Sequence, residues 1–244
     1  MIGSATTMEI DERDGTRDAF GHVDTWVFDL DDTLYPRSIG LHHQMKQRVV
    51  LFIADHMKID HAAANAVHLD YYERYGATLQ GLVELHGVSP LAFLDFIHNI
   101  DLSALKPNAG LVAALQALPG RRIVFTNASR SHALAALNAM GMADLFDAIG
   151  SIEDSDFVGK PHLRAFSGLF NTHGIDPLRS AMFEDRVGNL LVPHQQGMRT
   201  VLVAEPSIDD VNAFVKPRHV DEVVANLTAF LREVTVQKRV TPRF

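Results

Sequence analysis

The chain of 244 residues contains no cysteine, so disulfide bonds and thiol catalysis are both excluded. Basic residues are also scarce: 22 Lys and Arg against 30 Asp and Glu give a formal net charge of −8. A balance of this sign argues against a nucleic-acid-binding surface. It leaves room for binding a small phosphorylated metabolite, provided that a metal ion and a few cationic side chains gather at one place.

Long hydrophobic runs are absent as well. No segment approaches the length of a membrane span, and residues 1–22 lack the apolar stretch of a signal peptide. We therefore expect a cytoplasmic protein without a membrane partner. The apolar fraction of 47% is enough for a real core, and the length allows an α/β domain with a smaller second one.

Two carboxylates follow the first apolar run. Asp29 and Asp31 come directly after Trp26–Phe28, which reads as a buried strand. Residues two apart in an extended chain share a face, and open α/β sheets bind ligands at the carboxyl ends of their strands. Like charges this close require a cation, a shared proton or a catalytic task. A solvated acidic turn is the simpler alternative.

Further apolar segments predict a parallel sheet. Buried strands are predicted over residues 122–127, 181–185 and 200–204. Helical composition follows the first two of them, and strands that alternate with helices are typical of a parallel sheet covered on both faces. Asp29, Thr126 and Asp185 would then meet on one rim of the sheet.

The segment between the first two strands predicts a helical insertion. Helices are expected over residues 41–56, 62–75, 79–86 and 90–98, with no strand among them. We therefore predict a helical cap over 37–106, a core made of 23–36 and 107–235, a mobile N-terminal tail over 1–22, and a C-terminal tail over 236–244.

Four motifs in a fixed order resemble those of the haloacid dehalogenase-like superfamily. They are Asp29-Leu30-Asp31-Asp32-Thr33, Thr126-Asn127, Lys160-Pro161, and Glu184-Asp185 with Asn189. The resemblance covers about residues 23–205 and implies an α/β fold, with a Rossmann-like parallel-sheet core and a small all-helical cap. Pro161 is also expected to begin a helix, since proline is favoured in the first turn.

The resemblance implies phosphoryl transfer to an aspartate. Asp29 would attack phosphorus, and Asp31 would protonate the leaving group and then activate water. The acid role implies a raised pKa for Asp31. Oxygen ligands from Asp29, the Asp31 backbone carbonyl and Asp185 would suit Mg²⁺.

Other motif residues would support this chemistry. Thr126, the Asn127 backbone and Lys160 would bind the phosphoryl oxygens. Glu184 would lie just outside the metal ligands. Asn189 would hydrogen-bond Lys160 or a metal-bound water.

Two further residue types receive no catalytic role. Asp32 is interpreted as structural, with a side chain that faces away from its neighbours. His42, His43 and His132 form no ligand-like group with one another in the sequence.

A narrower resemblance concerns the substrate. Tyr35-Pro36, the cap stretch Tyr75–Leu82 and Val192–His194 are similar to the pyrimidine 5′-nucleotidase subfamily, in which Tyr75, Thr78 and Gln80 would read the substrate. Ala77 and Gln80 depart from the usual residues of that stretch. The function implied is Mg²⁺-dependent hydrolysis of a pyrimidine nucleoside 5′-monophosphate. The alternatives are a phosphatase for another small metabolite, such as a phosphosugar or phosphoglycolate, and a non-catalytic binding protein on this fold.

Overall fold

Six short strands form one fully parallel sheet in the order β3-β2-β1-β4-β5-β6. The strands are β1 Thr25–Phe28, β2 Arg121–Phe125, β3 Ala148–Gly150, β4 Ser180–Glu184, β5 Arg199–Val203 and β6 Glu222–Val224. The structure is a computed structural model that describes residues 19–204 and 216–240, without the side chains of 236–240. Because β1 lies between β2 and β4, the residues that follow these three strands are neighbours.

Helices cover both faces of the sheet and form the insertion after β1. They are α1 Leu41–Met57, α2 His61–Tyr75, α3 Thr78–His86, α4 Pro90–Ile97, α5 Ala109–Ala117, α6 Arg130–Ala139, α7 Leu163–His173, α8 Leu191–Gln195 and α9 Leu227–Val240. Among the described residues, none of these helices combines the length and the apolar character needed to cross a membrane.

Successive side chains of β1 supply two different core layers. Trp26 and Phe28 pack in one hydrophobic cluster, whereas Val27 packs in the cluster on the other face, and all three are fully buried. The alternation follows from the two-residue period of a strand. Because the strand is buried on both faces, its carboxyl end is held firmly, and Asp29 directly follows that end.

Helices α1 to α4 enclose a third cluster of their own. It includes Ile53, Leu82 and Phe93, with Ile152 from the core at its edge. Side-chain caps fix two of the helix starts: Asp60 accepts from the Ala63 amide at 2.8 Å, and Ser89 accepts from the Ala92 amide at 3.4 Å. The division into core and cap remains our proposal for the domain organisation.

The predicted fold class is confirmed, although strands β3 and β6 and helices α5 and α9 were not predicted. Strands β3 and β6 have only three residues each, too few for a periodic signal. The prediction that Pro161 begins a helix was wrong. His162 is extended, with φ −66° and ψ 135°, and acts as the N-cap, so α7 begins at Leu163.

The predicted tails were drawn too long. Phe20 is 1% exposed and packs edge-on against Phe230 and stacks near Trp26, so the core begins before residue 23. At the other end, α9 continues past residue 235 to Val240. Residues 1–18 and 241–244 lie outside the described residues. One aromatic side chain in an otherwise polar stretch gave no periodic signal.

Replacing Phe20 tests this correction. Phe20→Ala should lower the free energy of unfolding by about 3–5 kcal/mol, because it removes a large buried ring and leaves a cavity. Leu178→Ala, at a side chain that is 67% exposed, is the control and should change the free energy by less than about 0.5 kcal/mol. Urea unfolding measures the change in the free energy of unfolding for each variant. Equal changes for the two variants would show that Phe20 does not belong to the core.

Candidate active site

The predicted meeting of strand ends is observed. Asp29, Thr126 and Asp185 directly follow β1, β2 and β4, and all three line one cavity of about 480 Å³. The cavity lies between the carboxyl edge of the sheet and the cap helices α1 and α2. The position agrees with the general placement of ligands in open α/β sheets.

A buried ammonium group lies at the centre of the site. Lys160 Nζ is 2.6 Å from Asp29 Oδ1, 2.9 Å from Glu184 Oε1 and 2.8 Å from the Phe125 carbonyl oxygen. Burial lowers the pKa of Lys160, but the two carboxylates outweigh this effect and hold the pKa above its usual range. Lys160 therefore stays cationic beside Asp29, where the predicted phosphoryl group would bind.

Glu184 supports this lysine and the loop that follows β4. Its Oε1 accepts from Asn189 Nδ2 at 2.6 Å, and its Oε2 accepts from the Arg186 amide at 2.7 Å. Asn189 thus bonds to Glu184 and not to Lys160, and the alternative bond to a metal-bound water stays a prediction. Since both oxygens of Glu184 already accept hydrogen bonds, the arrangement favours a supporting role over direct metal ligation.

The Asn127 side chain ties the backbone of Lys160 to the loop that follows β2. Its Oδ1 accepts from the Lys160 amide at 2.7 Å and its Nδ2 donates to the Lys160 carbonyl at 3.0 Å. A Cβ on Gly159 would lie 2.8 Å from Asn127 Oδ1, so only glycine allows this close approach. The side chain is therefore structural, which leaves the backbone amide of Asn127 for the predicted phosphate contact. Thr126 Oγ1 accepts from the Ala128 amide at 3.0 Å and keeps its own proton to donate.

Three carboxylates form a group with the composition of a metal site. Asp29, Glu184 and Asp185 each place an oxygen within 4.8 Å of the others. Burial raises the pKa of Asp29 to about 7, and burial with the charge of Glu184 raises the pKa of Asp185 to about 9. This excess of negative charge and the all-oxygen donor set fit a hard divalent cation such as Mg²⁺. The predicted ligand role of the Asp31 backbone carbonyl stays a prediction.

Asp31 carries two hydrogen bonds that the sequence did not reveal. Its Oδ1 accepts from the Tyr35 hydroxyl and lies 3.1 Å from His132 Nε2. Burial alone would raise the pKa of Asp31, but the bonds to His132 and Tyr35 prevail and hold the pKa below its usual value. The prediction of a raised pKa for Asp31 was therefore wrong.

A second histidine supports the first. The rings of His98 and His132 stack with centroids 4.5 Å apart, and His98 Nδ1 is 2.9 Å from Ser129 Oγ. Burial and the neighbouring His132 lower the pKa of His98 to about 3, so this ring is neutral. No sequence signal marked these residues, because they lie 34 positions apart and meet only through the return of the cap to the core.

The cap wall of the cavity differs from the predicted one. It includes Met45, Lys46, Val49, His68, Leu69 and Tyr72. The predicted residues Tyr75, Thr78 and Gln80 do not line the cavity, which is the correction to that prediction. Thr78 is buried behind the wall, with Oγ1 2.7 Å from His68 Nδ1, and Tyr75 packs against Tyr71. Residues on α2 face the site because its period places 68, 69 and 72 on one side.

Asp32 lies at the cavity edge in a left-handed conformation with φ 64°. Its Oδ2 is 3.7 Å from Arg37 and 4.0 Å from His42. These contacts tie the turn after β1 to the start of the cap. They agree with a structural role, although the side chain does line the cavity beside Asp29 and Asp31.

The parallel sheet, the carboxylate–lysine group at its carboxyl edge and the helical cap together define a capped α/β enzyme. The family model described as haloacid dehalogenase-like hydrolase matches residues 23–192, and the chain belongs to that family.

Two proteins and a solved structure are similar to the chain. Phosphate metabolism protein 8 of Saccharomyces cerevisiae is 26% identical over 224 residues, which are 82% of this chain and 67% of that protein. Glyceraldehyde 3-phosphate phosphatase of Methanocaldococcus jannaschii is 26% identical over 198 residues, covering 76% and 86%. A crystal structure of a phosphatase of this family from Thermococcus onnurineus superposes with a TM-score of 0.60 at 16% identity, covering 89% and 100%, and shows the shared fold.

The carboxylate group makes metal stabilisation depend on pH. When the pKa of a carboxyl is higher in the folded than in the unfolded protein, the folded state becomes less stable as the pH rises from 3.8 towards the folded pKa. The folded pKa is about 7 for Asp29 and about 9 for Asp185. At pH 6 both groups hold protons that Mg²⁺ must displace. The increase in melting temperature on adding Mg²⁺ should therefore be larger at pH 8.5 than at pH 6.

Comparing the melting temperature with and without Mg²⁺ at each pH removes the contribution of groups outside the site. Asp185→Asn should reduce the Mg²⁺-dependent increase at pH 8.5. An increase of the same size at both pH values would show that these carboxyls do not bind the metal.

Proposed function

We propose that the protein is a Mg²⁺-dependent phosphomonoester hydrolase that acts through an aspartyl-phosphate on Asp29, with a pyrimidine nucleoside 5′-monophosphate as the favoured substrate. The observation that carries the proposal is the position of Asp29. It lies at the floor of the cavity, bonded to the Lys160 ammonium and grouped with Asp185.

The first step would form the covalent intermediate. A carboxylate oxygen of Asp29 attacks phosphorus, the bond from phosphorus to the ester oxygen breaks, and Asp31 supplies the proton that the leaving oxygen takes up. The Lys160 ammonium, the Thr126 hydroxyl and the Asn127 amide stabilise the charge on the other phosphoryl oxygens.

The second step would restore the enzyme. Asp31 takes a proton from water as the water oxygen attacks phosphorus, and the bond between phosphorus and Asp29 breaks to release phosphate. The low pKa of Asp31 favours the carboxylate that this step requires, whereas the first step draws on the protonated fraction of Asp31. Mg²⁺ held by Asp29 and Asp185 would neutralise the nucleophile and the phosphate, so that two anions can approach.

The cavity supports a leaving group of nucleoside size. A volume of about 480 Å³ lies within the range of small-molecule sites, and its cap wall combines apolar Met45 and Val49 with the polar rings of His68 and Tyr72. Tyr72 is 37% exposed, and Arg186 lies over its ring at 5.1 Å, which fixes the ring at the junction of cap and core. The motif resemblance favours a pyrimidine base against this wall.

A second candidate is a phosphatase for another small metabolite. A relative 26% identical to this chain is named a glyceraldehyde 3-phosphate phosphatase. Lys46 and Arg37 on the cavity wall could also bind polar groups of a phosphosugar. The core residues that would bind phosphate serve both candidates equally, so the cap must distinguish them.

Removing the nucleophile tests the reaction. Asp29→Asn should lower hydrolysis of p-nitrophenyl phosphate below about one thousandth of the unmodified rate, because an amide cannot form the acyl phosphate. Asp95→Asn, at an exposed position on α4, is the control and should retain full activity. Mass spectrometry must show that the new asparagine has not deamidated. Near-normal turnover by the intact variant would refute the assignment.

Substitutions of two tyrosines on α2 test the proposed substrate. Tyr72 lines the cavity and Tyr75 does not, so Tyr72→Ala should lower kcat/KM for UMP by about tenfold through loss of aromatic contact area, with less effect on p-nitrophenyl phosphate. Tyr75→Ala should change neither ratio appreciably. If the unmodified protein hydrolyses UMP and CMP no better than hexose phosphates, the nucleotidase proposal fails and the general phosphatase proposal stands.

A further inference from the structure

We propose that His132 and Tyr35 clamp one oxygen of Asp31, so that the other oxygen is the one that exchanges protons with the leaving group and with water. His132 is in this view a positioning residue that acts through Asp31. The inference rests on the proposed function, since it assigns Asp31 the proton transfers of that reaction.

The two donors share one acceptor. The Tyr35 hydroxyl and His132 Nε2 both contact Asp31 Oδ1. Among the described side chains and amides, none hydrogen-bonds Oδ2 of this carboxyl, which lines the cavity with its side chain 20% exposed. A carboxyl whose Oδ1 accepts two hydrogen bonds keeps its proton on Oδ2 when it is protonated. The clamp therefore selects Oδ2 and fixes its direction.

His132 is held firmly enough to act as a clamp. Its side chain is fully buried, its amide donates to Ser129 Oγ at 3.3 Å, and its ring stacks on His98 with an interplanar angle of 22°. Rotation of the ring would break the stack on His98 and the contact between Nε2 and Asp31.

The surroundings also select the tautomer of His132. Its Nδ1 is buried and has no hydrogen-bond partner among the described residues, whereas Nε2 faces Asp31. A buried N–H without an acceptor is unfavourable, so the hydrogen belongs on Nε2. The ring then donates to Asp31.

The clamp is connected to the cap. His98 directly follows α4, the last cap helix, and also lines the cavity. His98, where the chain returns from the cap to the core, thus stacks on the ring that positions Asp31. The acid is thereby held by residues from the turn after β1, from α6 and from the end of the cap.

Leaving-group dependence provides the test. Phenol has a pKa near 10 and requires protonation as it leaves, whereas p-nitrophenol barely does. His132→Leu removes the donor at similar volume and should lower kcat for phenyl phosphate by about 10- to 100-fold, with a several-fold smaller loss for p-nitrophenyl phosphate. KM should change little for either substrate.

Two further variants separate positioning from folding. His132→Gln places an amide N–H near the position of Nε2 and should recover most of the loss. Tyr35→Phe removes the other donor without changing the ring and should show the same selective loss. His194→Leu, on α8 and outside the cavity, is the control and should leave the ratio of the two rates unchanged. Melting temperatures confirm that each variant is folded.

A double-mutant cycle provides the sharpest outcome. In an Asp31→Asn background, His132→Leu should no longer alter the ratio of the phenyl and p-nitrophenyl rates, because its effect passes through Asp31. Equal losses on both substrates for both His132 variants, or an undiminished effect in that background, would overturn the inference and leave the proposed function intact. Absence of phosphatase activity in the unmodified protein would overturn both.

A second measurement does not depend on activity. The ¹⁵N spectrum of the His132 ring should show the Nε2–H tautomer, and its Nε2 resonance should shift in Asp31→Asn but little in Asp95→Asn. An Nδ1–H tautomer in the unmodified protein would contradict the clamp.

Discussion

The site depends on one buried cation. Lys160 has a side chain that is 1% exposed, and its ammonium group is stabilised only because Asp29, Glu184 and a backbone carbonyl surround it. An isolated charge in such a place would be strongly unfavourable, and removing one partner from a buried pair is costly. Burial, together with the excess of carboxylates over this one cation, raises the pKa of Asp29 and Asp185, and that excess favours a divalent cation. In the proposed reaction, phosphate binding, metal binding and the orientation of the nucleophile would all derive from this one charge balance.

Topology explains why residues so distant in sequence meet. The chain enters the sheet at its centre, leaves through the cap, and returns to place β2 on one side of β1 and β4 on the other. Asp29, Thr126 and Asp185 each stand one position after a strand that is held in register by its neighbours. The Asn127 side chain then ties the Lys160 backbone to the same edge. In the proposed function, the ends of the strands would carry the phosphate chemistry, and the inserted helices would supply the surface that contacts the leaving group.

The sequence predicted what short-range patterns encode. Apolar runs indicated β1, β2, β4 and β5, and the order of the motifs indicated the core site. It could not indicate contacts that depend on the meeting of separate elements. His132 and His98 form a pair only in three dimensions, and the face that α2 turns towards the cavity depends on packing, so Tyr72 lines the wall and Tyr75 does not. The pKa of Asp31 was misjudged for the same reason, since its two donors come from the following turn and from a helix a hundred residues away.

Trapping the covalent intermediate tests the central claim, that Asp29 is the nucleophile, most directly. Rapid acid quenching during the first turnover of ³²P-labelled substrate, followed by proteolysis and mass spectrometry, locates the phosphoryl group. The account predicts label on the peptide that contains Asp29, in an acyl phosphate that hydroxylamine removes. Turnover without any labelled peptide, or with label on a different residue, would contradict the account.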